Sequence, residues 1–168
     1  MGDGVSGVAR AWVAGSGEAE TVARLLVEFR DHNGSDWPSA NSFLASVERM
    51  IDRPDTAYLL GTPHDDAPPS GVLQLRFRPS VWMAADDAWL EDLFVRDDAR
   101  RSGLGAALVD LALARAREHG CRRVELDTSE SNAAALALYE RFGFSPHSKG
   151  NPEARDLFLG VKLDEPGG

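Results

Sequence analysis

Two periods of apolar residues alternate along this chain, one of about 3.6 residues and one of two. Residues 8–14 read as a short first strand. From Ser16 the period lengthens: Val22, Leu25, Leu26 and Phe29 recur at helical spacing. Glu18 and Glu20 fall in the first turn of that helix, where negative charge suits the dipole. Asn33-Gly34 closes it. Phe43, Leu44, Val47, Met50 and Ile51 mark a second amphipathic helix that stops before Pro54, because the residue preceding a proline is pushed out of helical geometry.

The period then drops to two. Thr56–Gly61 and Gly71–Arg78 read as strands joined by the Pro- and Asp-rich loop Thr62–Ser70, a hairpin connection. Leu73, Leu75 and Phe77 alternate with Gln74, Arg76 and Arg78, so one face of the second strand is buried. Ala88–Val95 is a further strand. Gly103–His119 is helical, with Gly120 suited to the position just past its end. Arg122–Thr128 is a strand, Asn132–Phe142 a helix, and Arg155–Leu163 a final strand. The predicted order is β-α-α-β-β-β-α-β-α-β, an α/β chain with a mixed sheet flanked by about four helices. Its 168 residues fit one domain, 1–168.

Composition narrows the functional classes. The net charge of −9 lacks the basic footprint of a nucleic-acid binder, and an acidic surface suits a cationic partner. No apolar run approaches the ~20 residues of a membrane helix, and the N-terminus lacks a secretory pattern. The expectation is a cytoplasmic protein with neither nucleic-acid nor membrane partner; a homodimer is compatible with the sequence. Gly2 and Ser6 match a loose myristoylation pattern that recurs by chance. Arginine far outnumbers lysine, which occurs only at Lys149 and Lys162; with the many alanines this suggests a GC-rich bacterial source. Cys121 is the sole cysteine and reads as a small strand or core residue. His32, His64, His119 and His147 show no metal spacing, so no metal site is expected. His119 reads as a helix-dipole partner.

The chemistry concentrates in Leu93-Phe94-Val95-Arg96-Asp97-Asp98-Ala99-Arg100-Arg101-Ser102-Gly103-Leu104-Gly105-Ala106. Here a strand enters a turn with two spaced glycines, and the turn opens a helix. Unpaired N–H groups at a helix start attract anions, and glycine lets a phosphate approach the backbone. The segment is neither a Walker A loop nor a dinucleotide fingerprint.

Arg100-Arg101-Ser102-Gly103-Leu104-Gly105 resembles the acetyl-CoA loop of the GNAT superfamily of N-acetyltransferases. Asn132-Ala133-Ala134-Ala135-Leu136-Ala137-Leu138-Tyr139-Glu140-Arg141-Phe142-Gly143-Phe144 is similar to the family's later Asn…Leu-Tyr…Gly-Phe segment. Leu90–Val95 looks most like the same stretch in diamine (spermidine/spermine) acetyltransferases. Asp97 departs from a common proline, and Arg101 from a common glycine.

The resemblance implies acetyl-CoA as cosubstrate and a small-molecule amine as acceptor. It implies cofactor contacts from Leu93, Phe94, Val95, Arg100, Arg101, Ser102, Gly103, Leu104, Gly105, Ala106 and Asn132. It also implies a base, Glu91, an acid, Tyr139, and substrate contacts from Glu91 and Asp92. Trp37, between the first two helices, is a candidate wall of the acceptor pocket; Trp82 and Trp89 read as core or pocket wall. The acceptor pocket is expected from loops near 31–41 and 78–88. Asn132 also suits a helix cap. A polyamine is the favoured acceptor; an aminoglycoside, an amino acid, a protein N-terminus, or a CoA-binding module without catalysis are the alternatives.

Overall fold

A computed structural model of the chain describes residues 7–148 and 150–163; the Gly2…Ser6 pattern lies outside them. The chain falls into two compact units, Met1–Leu126 and Asp127–Gly168. In the first, five strands form a mixed sheet in the order β1-β2-β3-β4-β5: β1 Arg10–Val13, β2 Thr56–Thr62, β3 Gly71–Ser80, β4 Ala85–Val95 and β5 Val124–Leu126. The pairs β1–β2, β2–β3 and β3–β4 are antiparallel, and β4–β5 is parallel. Helices α1 (Ala19–His32), α2 (Ala40–Met50) and α3 (Leu104–Glu118) belong to the same unit.

Local chemistry sets the helix starts. Ser39 caps α2, its Oγ accepting the Ser42 N–H at 3.2 Å, which satisfies one of the first turn's unpaired donors. A turn of 3₁₀ helix, Ser16–Glu18, precedes α1. There the Glu18 carboxylate takes the Gly15 N–H at 3.0 Å and the Trp12 indole N–H at 2.9 Å, tying β1 to the start of α1.

The sheet is buried on both sides. Tyr58, Leu60, Val72 and Phe94 share one core with Val22, Leu25, Leu26, Val47 and Ile51 of the α1/α2 region. The opposite face carries Leu59, Leu73 and Leu75, and takes α3 through Leu104 and Leu108 over the paired glycines Gly61 and Gly71. Every residue of β2 is buried, so a fully enclosed strand underlies the alternation. Gln74 is buried as well, while Arg76 and Arg78 are exposed; β3 is two-sided in its first half and open in its second.

The second unit contains α4 (Ala133–Arg141) and a hairpin of β6 (His147–Ser148) and β7 (Asn151–Arg155). This corrects the expected strand Arg155–Leu163. Residues 156–163 have no regular structure, and Leu157, Leu159, Val161 and Leu163 are exposed. Their alternation is a strand pattern, but a strand needs a neighbour to satisfy its backbone, and none pairs with it among the described residues. β5 is likewise shorter than the expected 122–128, and Cys121 precedes it as a half-buried residue outside any strand. Trp82 belongs neither to core nor to pocket: it is 92% exposed in the turn that joins β3 to β4, where no second layer covers it. Among the described residues no helix is long and apolar enough to cross a membrane.

Candidate active site

β4 carries the site's central irregularity. Gln74 pairs with Glu91 and Val72 with Phe94, so two steps on β3 match three on β4. The extra residue is Asp92, with φ of 56°. This is a β-bulge, which bends the strand and interrupts pairing. β5 pairs with β4 only at Ala88–Leu90. Beyond Leu90, β4 pairs with β3 at Glu91, Phe94 and Val95, and among the described residues no strand of the sheet takes its other edge. Along Leu93–Val95 that edge is where a ligand's amide chain can add as a strand would.

The strand leads into the expected anion site. Gly103 is the N-cap of α3 with φ of 83°, a backbone state that glycine adopts without the cost of a Cβ. A Cβ there would have no atom within 4 Å, so the space over the turn is open. The first helical bond runs from the Ala107 N–H to the Gly103 carbonyl at 3.0 Å. Gly105 and Ala106 therefore have no intrahelical acceptor for their N–H groups. Ser102 accepts the Leu104 N–H at 3.3 Å and donates to the Ala99 carbonyl at 2.6 Å. Arg100 is tied to the Val95 carbonyl at 3.2 Å and to Asp97 at 3.2 Å; Arg101 is exposed at φ of 61°. Open N–H groups, an uncrowded glycine and two arginines fit a pyrophosphate.

Glu91 is half-buried and ion-paired with Arg76. Gln74 lies opposite Glu91, and Tyr58 opposite Gln74, so Tyr58, Gln74 and Glu91 form one row across the sheet. Burial, then the negative charges of Asp92 and Glu91, push the Tyr58 phenol up to about 12, with Arg76 opposing. Sequence reading missed Tyr58 and Arg76. The signal was Arg76 on the polar side of an otherwise buried β3.

Trp89 and Arg76 lie opposite each other and line a pocket of about 330 Å³ with Arg49, Arg53, Asp55 and Arg78. That pocket is lined by the end of α2, the turn that follows it and strands β2–β4; of the stretches near 31–41 and 78–88 it takes only Arg78. A second pocket of about 350 Å³ is lined by Glu28, His32, Phe94 and Arg96. Trp37 lines neither; it is 76% exposed.

In the second unit, Asn132 caps α4, its Oδ1 accepting the Ala135 N–H at 3.1 Å. Tyr139 is buried, its ring edge-on to Phe144 at 5.7 Å. Burial, then Asp127, push its phenol up to about 12.

Two other groups have structural roles. His119 ends α3, stacks on Phe77 at 3.8 Å and meets Asp86 at 3.0 Å. Burial, then Asp86 and Asp87, push the Cys121 thiol up, which disfavours the thiolate a nucleophile needs.

Comparison with known proteins places this arrangement. Residues 22–144 match the acetyltransferase (GNAT) family model. A mycothiol acetyltransferase of Beutenbergia cavernae is 41% identical over 91 residues, which cover 52% of this chain and 29% of that protein. The ribosomal protein bS18-alanine N-acetyltransferase of Escherichia coli is 40% identical over 60 residues, covering 36% of this chain and 40% of that one. The chain thus spans less than a third of the mycothiol enzymes it matches. These names concern mycothiol and a ribosomal protein, so the likeness to diamine acetyltransferases does not carry past the family. A crystal structure assigned as an acetyltransferase from Arthrobacter sp. FB24 superposes with a TM-score of 0.81 at 27% identity, covering 91% of this chain and 95% of that one. An aminoglycoside acetyltransferase from a soil metagenome shares the fold, with a TM-score of 0.72 at 13% identity, covering 94% of this chain and 96% of that one. With its glycine turn at the head of α3, its bulged and half-free β4, and a family match over most of its length, the chain belongs to the acetyltransferase (GNAT) family.

Proposed function

We propose that this chain is a cytoplasmic N-acetyltransferase that moves the acetyl group of acetyl-CoA directly to a primary amine, its two units acting as one catalytic domain. The observation that carries the reading is that β4 runs past the end of its pairing with β5, at Leu90, through Leu93–Val95 into the open turn at Gly103. The pyrophosphate would lie over Gly103, Gly105 and Ala106. Pantetheine amides would pair along Leu93–Val95, and Asn132 would contact the same arm. A backbone N–H of that edge would polarise the thioester carbonyl.

A free alkylamine has a pKa of about 10.4 and is mostly protonated at neutral pH. Glu91 would take its proton, directly or through water. The amine nitrogen then attacks the carbonyl carbon, the C–S bond breaks, and the sulfur leaves with the proton of Tyr139; the nitrogen sheds its second proton to solvent as the amide forms, and the phenolate takes one back from solvent. A phenol near 12 is protonated throughout the neutral range. Its transfer to a free thiolate of pKa about 8.5 is uphill, so the proton moves as the C–S bond breaks rather than after it.

The acidic net charge favours a cationic acceptor such as a polyamine, held by Glu91 and Asp92. The pairing of Glu91 with Arg76 weakens that version, since the carboxylate already faces a cation. The test is a thioester-cleavage assay against a panel of amines. Cleavage that depends on an amine and yields its N-acetyl product supports the reading. Tight CoA binding without turnover on any amine would reduce the chain to a binding module.

A further inference from the structure

The pocket lined by Arg76 and Trp89 has a charge balance opposite to that of the whole protein. Four arginines, Arg49, Arg53, Arg76 and Arg78, meet a single carboxylate, Asp55. Asp55 is spent: Arg53 holds it through two hydrogen bonds, at 2.8 and 2.7 Å. Arg76 pairs with Glu91. Arg78 pairs with Asp87 at 2.6 Å and Glu125 at 2.9 Å, and lies 4.9 Å over the Trp89 ring. Arg49, exposed on α2, has no ion-pair or hydrogen-bond partner among the described residues. With the other three arginines paired, the pocket's surplus positive charge is that of Arg49, beside guanidinium groups already oriented by their partners.

Net charge steers a ligand from afar, but salt screens it within about 8–10 Å. Contact selectivity belongs to the pocket. Trp89 and Glu91 are two residues apart on one face of β4, about 6–7 Å at strand rise. An acceptor whose amine meets Glu91 thus reaches the pocket within a few bonds. Arginine forks match carboxylate and phosphate oxygens.

We infer that the acceptor amine of this transferase carries a carboxylate or phosphate on the same small molecule, and that Arg49, with Arg76 beside it, receives that anionic group. This inference rests on the acetyl-transfer reading above and narrows its acceptor to a zwitterionic class.

The experiment compares acceptors of matched length: γ-aminobutyrate and aminopropylphosphonate against butylamine and putrescine. The anionic pair should give a kcat/KM at least tenfold higher, the worth of one charge-assisted hydrogen bond. The better of the two tells carboxylate from phosphate. In Arg49→Ala that preference should shrink at least tenfold, and Arg49→Lys should restore part of it; alanine keeps the helix. Equal or better use of putrescine or butylamine overturns the inference, as does an unchanged preference in Arg49→Ala.

If no amine is acetylated although CoA binds, the transfer reading itself has failed. The anion site is then judged by inorganic phosphate titrated calorimetrically into the CoA-saturated protein. Binding that Arg49→Ala removes upholds the site, and its absence in the native protein overturns it.

Discussion

A Cβ placed on Gly61 would lie 2.5 Å from Cδ1 of Leu104, so the first residue of α3 sits directly against the β2 backbone. The cofactor turn is thereby hung from the middle of the sheet. Gly61→Ala should push Leu104, and with it the Gly103 turn, out of place; the Arg10 carbonyl at 3.0 Å closes the other way out. The expected result is a loss of about 1–3 kcal/mol in urea unfolding, the range for overpacking. A weaker CoA affinity should accompany it, measured by calorimetry.

Gly103→Asp should spare the core and damage the ligand site. The new side chain meets no atom within 4 Å, but it is strained at φ of 83° and brings a negative charge to an anion cradle. CoA binding should fall at least tenfold by calorimetry in a folded protein. Unchanged affinity would remove the pyrophosphate from this turn.

Tyr139→Phe removes one hydroxyl and keeps the ring against Phe144. If the phenol protonates the departing sulfur, kcat should drop by about 10²–10⁴, with CoA affinity retained. A turnover near that of the native enzyme would leave the proton to water.

The sequence holds only two tyrosines, Tyr58 and Tyr139, and both phenols stand near 12. Tyrosinate absorbance should therefore stay flat as pH rises past the ordinary phenol value of about 10. Because both folded values are raised, their contribution to stability is complete below about pH 10 and is lost as pH climbs toward 12. A tyrosinate signal with a midpoint near 10 in the folded protein would contradict the burial of these rings.

Asp87 works in the opposite direction. Burial opposes its ionisation, but hydrogen bonds from Arg78 and Arg123 outweigh that and hold its carboxyl below the usual value. Its stabilising effect is present above about pH 4 and disappears as pH falls through the lowered value. Asp87→Asn should cost about 2 kcal/mol at pH 7 and flatten the acid limb of the stability curve.

Much of the fold was legible because its signals are local. Helical spacing in α1 and α2, the turn at Gly103 and the cap at Asn132 each need only neighbouring residues. What escaped depends on distant pairing. The tail from Leu157 to Leu163 alternates like a strand, yet lacks a neighbour among the described residues. Trp82 looks like core by type and is exposed by its place in a turn. The Arg76–Glu91 pair follows from β3–β4 register, and that register shifts at a bulge that no pattern of apolar residues marks. The arginines of the pocket come from α2, the turn after it and β3, which no single motif spans.

Asp92 is exposed and outside the core, and Glu91 and Phe94 on either side of it face α1 and α2 together only because one residue between them goes uncounted by β3. Deleting it would leave both facing as they do now and let the strand run straight. The hydrophobic interior would be indifferent to the loss, while the edge on which a ligand must lie would lose its bend. One residue therefore separates what this chain needs in order to fold from what it needs in order to work, and an Asp92 deletion that melts like the native protein yet cannot hold CoA would display the two requirements apart.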